Sequence, residues 1–127
     1  MPSLNRVQLM GNLGRDAEAR YTAKGTKYAT FSLAVNSTWK SAEGEKHEAT
    51  DWFNVNAWGK LGDFAAQYLK KGRLVLVEGR LQTDRWEDTK GESHYRTIVI
   101  ARSLQLLDRR PEEPEAESEI TADDLAE

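Results

Sequence analysis

Residues 50–72 read Thr50-Asp51-Trp52-Phe53-Asn54-Val55-Asn56-Ala57-Trp58-Gly59-Lys60-Leu61-Gly62-Asp63-Phe64-Ala65-Ala66-Gln67-Tyr68-Leu69-Lys70-Lys71-Gly72, and the hydrophobic period changes inside them. Up to Trp58 the pattern alternates, as successive side chains of a strand do. Phe53, Val55 and Ala57 share one face, and Trp52, Asn54, Asn56 and Trp58 share the other. From Leu61 the spacing lengthens. Leu61, Phe64, Ala65, Tyr68 and Leu69 fall at i, i+3, i+4, i+7 and i+8, which predicts an amphipathic helix of about three turns. Lys70 and Lys71 suit the negative end of its dipole, and Gly72 suits a left-handed C-terminal cap.

Working outward, residues 4–10 mix polar and apolar side chains as a strand does, and Gly11-Asn12-Leu13-Gly14 reads as an interruption. Tyr28 to Thr38 forms a second strand, with Phe31, Leu33 and Val35 opposite Thr30, Ser32 and Asn36. A polar connection with Gly44 inside it spans Lys40 to Glu48. Beyond the helix, Leu74 to Trp86 is a fourth strand, in which Gly79 permits a sharp bend. Asp88-Thr89-Lys90-Gly91 is a hairpin turn, and Ser93 to Leu107 returns as a fifth strand. The order is therefore β-β-β-α-β-β. Five strands with one helix between the third and fourth define an all-β OB-fold, a five-stranded Greek-key barrel. A sandwich would need more, shorter strands and no helix in mid-chain.

The 127 residues suffice for one domain. All 18 Lys and Arg lie within residues 1–110 beside 13 of the 21 acids, leaving +5 there and −8 over the last 17 residues. The expected division is a globular domain over 1–110 and a disordered acidic tail over 111–127, too poor in apolar residues to offset the cost of ordering. A basic body with an acidic tail suggests binding to a polyanion; a second reading makes the tail a solvated end. Cysteine is absent, and the histidines are His47 and His94. That excludes thiolate catalysis, cysteine-ligated zinc and a histidine-rich metal centre, so neither metal nor cofactor is expected. No Walker loop, Gly-x-Ser-x-Gly or HExxH occurs, and nothing in the sequence pairs Asp51 with Glu78, so no enzyme is expected. No apolar run approaches the ~18 residues of a membrane helix. The first residues lack the order of a secretory signal, which points to an intracellular protein.

Four tryptophans stand in polar settings. The apolar face of the third strand is complete without Trp52 and Trp58. Trp39 ends the second strand beside Lys40, and Trp86 lies between Arg85 and Glu87. Rings in such places form a stacking platform, and a base stacked on one contributes roughly 1–3 kcal/mol. Packing of Trp52 and Trp58 in a subunit interface is the alternative. Arg6, Arg20, Lys27, Lys60, Lys71, Arg96 and Arg102 are candidates to meet phosphates, with attraction that weakens as salt rises.

Over about residues 4–107 the chain resembles the bacterial single-stranded DNA-binding proteins of replication, repair and recombination. The residues that carry the resemblance run from Asn5-Arg6-Val7-Gln8-Leu9-Met10-Gly11-Asn12-Leu13-Gly14 through Thr50-Asp51-Trp52, Trp58-Gly59-Lys60 and Tyr68-Leu69-Lys70-Lys71-Gly72 to Val77-Glu78-Gly79-Arg80-Leu81. The resemblance implies base stacking by Trp39, Trp52 and Trp86, and by Trp58 where the family often has phenylalanine. It implies phosphate contacts by Arg6, Arg20, Lys40, Lys60, Lys71 and Arg85, a homotetramer, and a cytoplasmic, nucleoid-associated location. Asn54, Gln82 and Asp84 depart from the family's basic pattern. The family's acidic tip ends in Pro-Phe and docks replication and repair proteins. Asp123-Asp124-Leu125-Ala126-Glu127 is acidic without the aromatic residue, so such docking is not carried over.

Rival readings are an OB-fold primosomal or other bridging module, an RNA-binding OB-fold and a sugar-binding one; the basic body argues against sugar. The charge split also implies that the tail competes with DNA for the basic face. Deletion of residues 111–127 is then expected to tighten DNA binding at low salt, and an unchanged affinity in a fluorescence titration would remove the competition.

Overall fold

The structure, a computed structural model, describes residues 3–108 and the backbone of residues 119–121. Its elements are β1 (Val7–Leu13), β2 (Glu18–Tyr21), β3 (Lys27–Lys40), β4 (Lys46–Trp58), α1 (Gly59–Tyr68), β5 (Leu74–Glu87), β6 (Ser93–Leu106) and β7 (Glu119–Thr121). The sheet order is β1-β5-β6-β4-β3-β2, and β1 also pairs with β3, which closes a five-stranded barrel. The expected all-β OB-fold with its helix between the third and fourth barrel strands is the fold observed. The tail expected over 111–127 lies outside the described residues, apart from β7, whose backbone pairs antiparallel with β6 at Ser103–Gln105.

Three hairpins are built on one turn. Thr22, Ser41 and Asp88 each occupy its first position, and Gly25, Gly44 and Gly91 its fourth, with φ of 86°, 85° and 81°. In each turn the glycine N–H donates to the first residue's carbonyl at 2.9, 2.9 and 3.0 Å. The first residue's side-chain oxygen accepts from the N–H four positions on, at 3.1, 3.2 and 3.0 Å. Glycine takes the left-handed conformation without steric cost, and the short polar side chain ties the turn to itself. Such a five-residue connection lets strands run right up to it. That is why β3 and β4 reach Lys40 and Lys46, well into the stretch expected to be a polar connection.

Other differences have equally local causes. β1 does not stop at Gly11. It continues to Leu13 while passing from β5 (Gly11↔Val75, Asn12↔Leu74) to β3 (Asn12↔Ala34, Leu13↔Leu33). A Cβ on Gly11 would collide with the Ala34 carbonyl, so glycine here permits the crossing rather than breaking the strand. The helix ends at Tyr68, earlier than the expected cap at Gly72. Leu69 is extended (φ −87°, ψ 94°) and fully buried, and its carbonyl accepts from Ala17 N–H at 2.9 Å. Burial of the leucine thus stops the helix, and Gly72 (φ 87°) serves the turn that follows. Lys70 does reach the last helical turn, donating to the Ala66 carbonyl at 3.4 Å.

The core joins Phe31, Leu33, Val55, Val75, Val77 and Val99 from the barrel to Leu61, Phe64 and Ala65 of α1. Arg73 is buried, its Nε 3.1 Å from Asp108 and its guanidinium donating to the Tyr68 carbonyl at 3.3 Å. Burial raises the Asp108 pKa, but the Leu74 N–H and the Arg73 guanidinium outweigh it and hold the carboxyl below its ordinary value.

Gly79 marks the bend expected of it. Glu78 faces Ser103 and Gly79 faces Ala101, so Arg102 is the extra residue of a bulge that increases the local twist. A Cβ at Gly79 would strike the Ile100 carbonyl and lie 3.1 Å from the Ala101 Cα. Gly79→Ala is expected to cost at least about 2 kcal/mol, because the obstacle is backbone and cannot rotate away. Urea unfolding midpoints would measure it.

A candidate single-strand-binding face

The β3–β4 ladder places Trp52, Asn54, Asn56 and Trp58 opposite Ala34, Ser32, Thr30 and Tyr28. These two rows share the outer face of the barrel, while Val55 and Ala57 point into the core. Between them and β2 and β6 lies a groove of about 140 Å³ lined by Arg15, Arg20, Tyr28, Asn54, Asn56 and Arg96. Arg20 is paired with Glu18 at 3.1 Å, and Arg96 lies 3.9 Å from Asp84 with its guanidinium 5.9 Å from the centre of the Trp86 ring.

Trp39, Trp52, Trp58 and Trp86 retain 51%, 60%, 38% and 46% of their surface, far from core values. Each has one side seated. Trp58 stacks on its cross-strand partner Tyr28 with centroids 4.5 Å apart. Trp39 stacks on His47 at 5.5 Å, and Trp86 on His94 at 5.6 Å. These too are directly opposed residues of antiparallel ladders. Trp52 lies against Gly14, where a Cβ would come within 2.6 Å of the indole. An exposed indole fixed from behind is a flat surface ready for a planar partner.

The basic residues divide. Arg20 lines the groove beside the asparagines. Arg85 lies on the β5–β6 arm with its guanidinium 5.0 Å from the centre of the Tyr95 ring, and Lys40 pairs with Lys46 at the tip of the β3–β4 arm. Lys60 is the second residue of α1, two after Trp58, and Lys71 follows the helix, its N–H donating to Asp16. Arg6 is elsewhere. With Leu4, Glu78, Arg80 and Arg102 it borders a second groove of about 390 Å³, and it pairs with Glu78 at 3.0 Å. Sequence reasoning gave no role to Gly14, Tyr28, His47, His94 or Arg15, because what singles them out is the residue across the ladder or the space beside it. Asp88, Glu92 and His94 bring ligand-type atoms within 4.8 Å of one another. Asp88 already caps its turn with one oxygen and meets His94 Nε2 at 2.7 Å with the other, so the cluster braces the hairpin.

Seated indoles beside a guanidinium-lined groove, on a small barrel, offer flat and cationic surfaces of the kind a flexible, ring-bearing polyanion would meet. The chain belongs to the single-strand binding protein family, whose model matches residues 4–107. It is 47% identical over 105 residues to single-stranded DNA-binding protein 1 of Chlorobaculum tepidum, a match covering 82% of this chain and 65% of that protein. It is 40% identical over 119 residues to the single-stranded DNA-binding protein of Thermotoga maritima, covering 94% and 84%. The fold is similar to that in a Plasmodium falciparum SSB complex with ssDNA, with a TM-score of 0.78, 33% identity, and 85% of this chain and 98% of that one covered.

Around the second groove, Glu78 accepts from Arg6 at 3.0 Å, from Gln8 at 2.8 Å and from Arg102 at 3.5 Å. The Arg6 hydrogen bond, then that from Gln8, holds its carboxyl below the ordinary value. A lowered carboxyl stabilises the fold above its unfolded pKa of about 4.3, and the contribution disappears as pH falls through the folded value. Glu78→Gln is therefore expected to be less stable than wild type at neutral pH, with the two converging as pH falls through the lowered Glu78 value. Urea midpoints at stepped pH would follow the convergence.

Proposed function

We propose that this chain binds single-stranded DNA with little sequence preference, coating it during replication, repair and recombination so that it stays unpaired and protected. The observation that carries the reading is the outer row Trp52, Asn54, Asn56 and Trp58 beside a groove bearing Arg15, Arg20 and Arg96. Single strands offer free base faces, whereas a duplex has them stacked away. Every base has such a face, so stacking binds without choosing a sequence. The asparagine amides between the indoles can hydrogen-bond base edges or sugar.

In this reading Trp39, Trp52, Trp58 and Trp86 stack on bases. Arg20, Lys40, Lys60, Lys71 and Arg85 attract phosphates, as does Arg6 from the second groove, and residues 1–110 carry the activity. The mechanism needs neither a catalytic step nor a cofactor. The named single-stranded DNA-binding relatives and the ssDNA complex of the structural neighbour support the reading. A homotetramer acting in the cytoplasm is part of the proposal, through the family resemblance.

Titration with oligo-dT is expected to quench most tryptophan fluorescence, while a duplex of equal length quenches little. Trp52→Ala and Trp58→Ala are each expected to weaken oligo-dT binding by about 5- to 150-fold, the equivalent of one lost stacking contact. Arg96→Ala is expected instead to reduce the salt dependence by about one phosphate contact. Unquenched indoles, or alanine variants that bind like wild type, would defeat the stacking mechanism.

A further inference from the structure

Both histidines of the chain stand directly across a ladder from a tryptophan and lie flat against it. The ring planes of Trp39 and His47 are 20° apart, and those of Trp86 and His94 are 24° apart. Both pairs sit near hairpin tips. Along Lys46–Trp52 and along Ser93–Thr97, the histidine is the one residue that is partly buried, and it is stacked against the indole. His94 is itself held, since Asp88 meets its Nε2 at 2.7 Å and caps the turn with its other oxygen. A rigid line therefore runs from the turn through Asp88 and His94 to Trp86.

We infer that His47 and His94 are positioning residues for single-strand binding, backing plates that hold Trp39 and Trp86 in the orientation that receives a base. The inference rests on the function proposed above and adds two residues to it. An indole on an exposed arm can turn over or fold down onto its strand. A flat ring pressed against one face limits that motion and leaves the opposite face open. Ordering the indole before the base arrives removes part of the cost of ordering it on binding. The property required is a flat ring against the indole; the Asp88 hydrogen bond adds to the fixing of His94 but does not make the stack.

The test uses the full chain and oligo-dT, with His47→Ala, His94→Ala, His47→Phe and His94→Phe. Each alanine variant is expected to bind about 2- to 10-fold more weakly, the effect of freeing one rotamer-rich side chain, and each phenylalanine variant to restore affinity to within about 2-fold of wild type. In protein labelled with 5-fluorotryptophan, the 19F line of Trp39 is expected to shift in His47→Ala and that of Trp86 in His94→Ala, with return in the phenylalanine variants. Thermal unfolding of each variant checks that the fold is retained. Wild type that fails to bind oligo-dT would remove the proposed function and this inference together. Wild type that binds while the alanine variants match it, or phenylalanine variants as weak as alanine, would overturn the histidine role alone.

Discussion

The pairing of β3 with β4 is the constraint on which the rest depends. One five-residue turn, Ser41 to Glu45 with Gly44 at φ 85°, sets Lys40 against Lys46, and every pair from there to Tyr28↔Trp58 follows. Alternation then decides which side chains meet the core. A slip of one residue would turn Trp52 and Trp58 inward and push Val55 and Ala57 out, exchanging the outer face for the packing face. The ladder leads straight into α1, so its register also fixes where Leu61 and Phe64 enter the barrel. Core and outer face are two sides of one arrangement, set by the same register.

Much of this was legible in the sequence. Trp52, Asn54, Asn56 and Trp58 separate from Phe53, Val55 and Ala57 by simple parity, and the change of period after Trp58 marks the helix. Parity concerns one strand at a time, however. The stacks of Tyr28 on Trp58, His47 on Trp39 and His94 on Trp86 need the register between strands, which the turn supplies and which composition does not display. Gly44 and Gly91 were visible as turn residues. The repetition of a hydroxyl or carboxylate three positions before the glycine, shared with Thr22 and Gly25, was the signal that could have given the register.

The missed features share a physical reason as well. β2 is exposed throughout and only four residues long, too short for its Ala19 and Tyr21 alternation to betray it; it exists because the Thr22–Thr26 turn folds it onto β3. Gly11 resembled a strand breaker because its value lies in a backbone crossing that only the folded barrel contains. Likewise, Arg6 looked like any other basic residue, yet Glu78 lies across the sheet and draws it to a different groove from Arg20. Charge can be counted in a sequence, but its direction is set by the partner that folding brings within reach.

The barrel's closure is uneven. The ladders of β3 with β4 and of β5 with β6 run nearly the length of their strands, whereas β4 meets β6 only at Val55↔Val99 and Asn56↔Ile100, and β1 meets β3 only at Asn12↔Ala34 and Leu13↔Leu33. The molecule accordingly has a parting line. On one side stand β2, β3 and β4; on the other stand β1, β5 and β6. Leu13 and Leu33 at one seam and Val55 and Val99 at the other are buried, so the shared core, more than the backbone ladder, holds the leaves together there. Trp39, Trp52 and Trp58 stand on one leaf and Trp86 on the other, so a single strand stacked on both would bridge the seam.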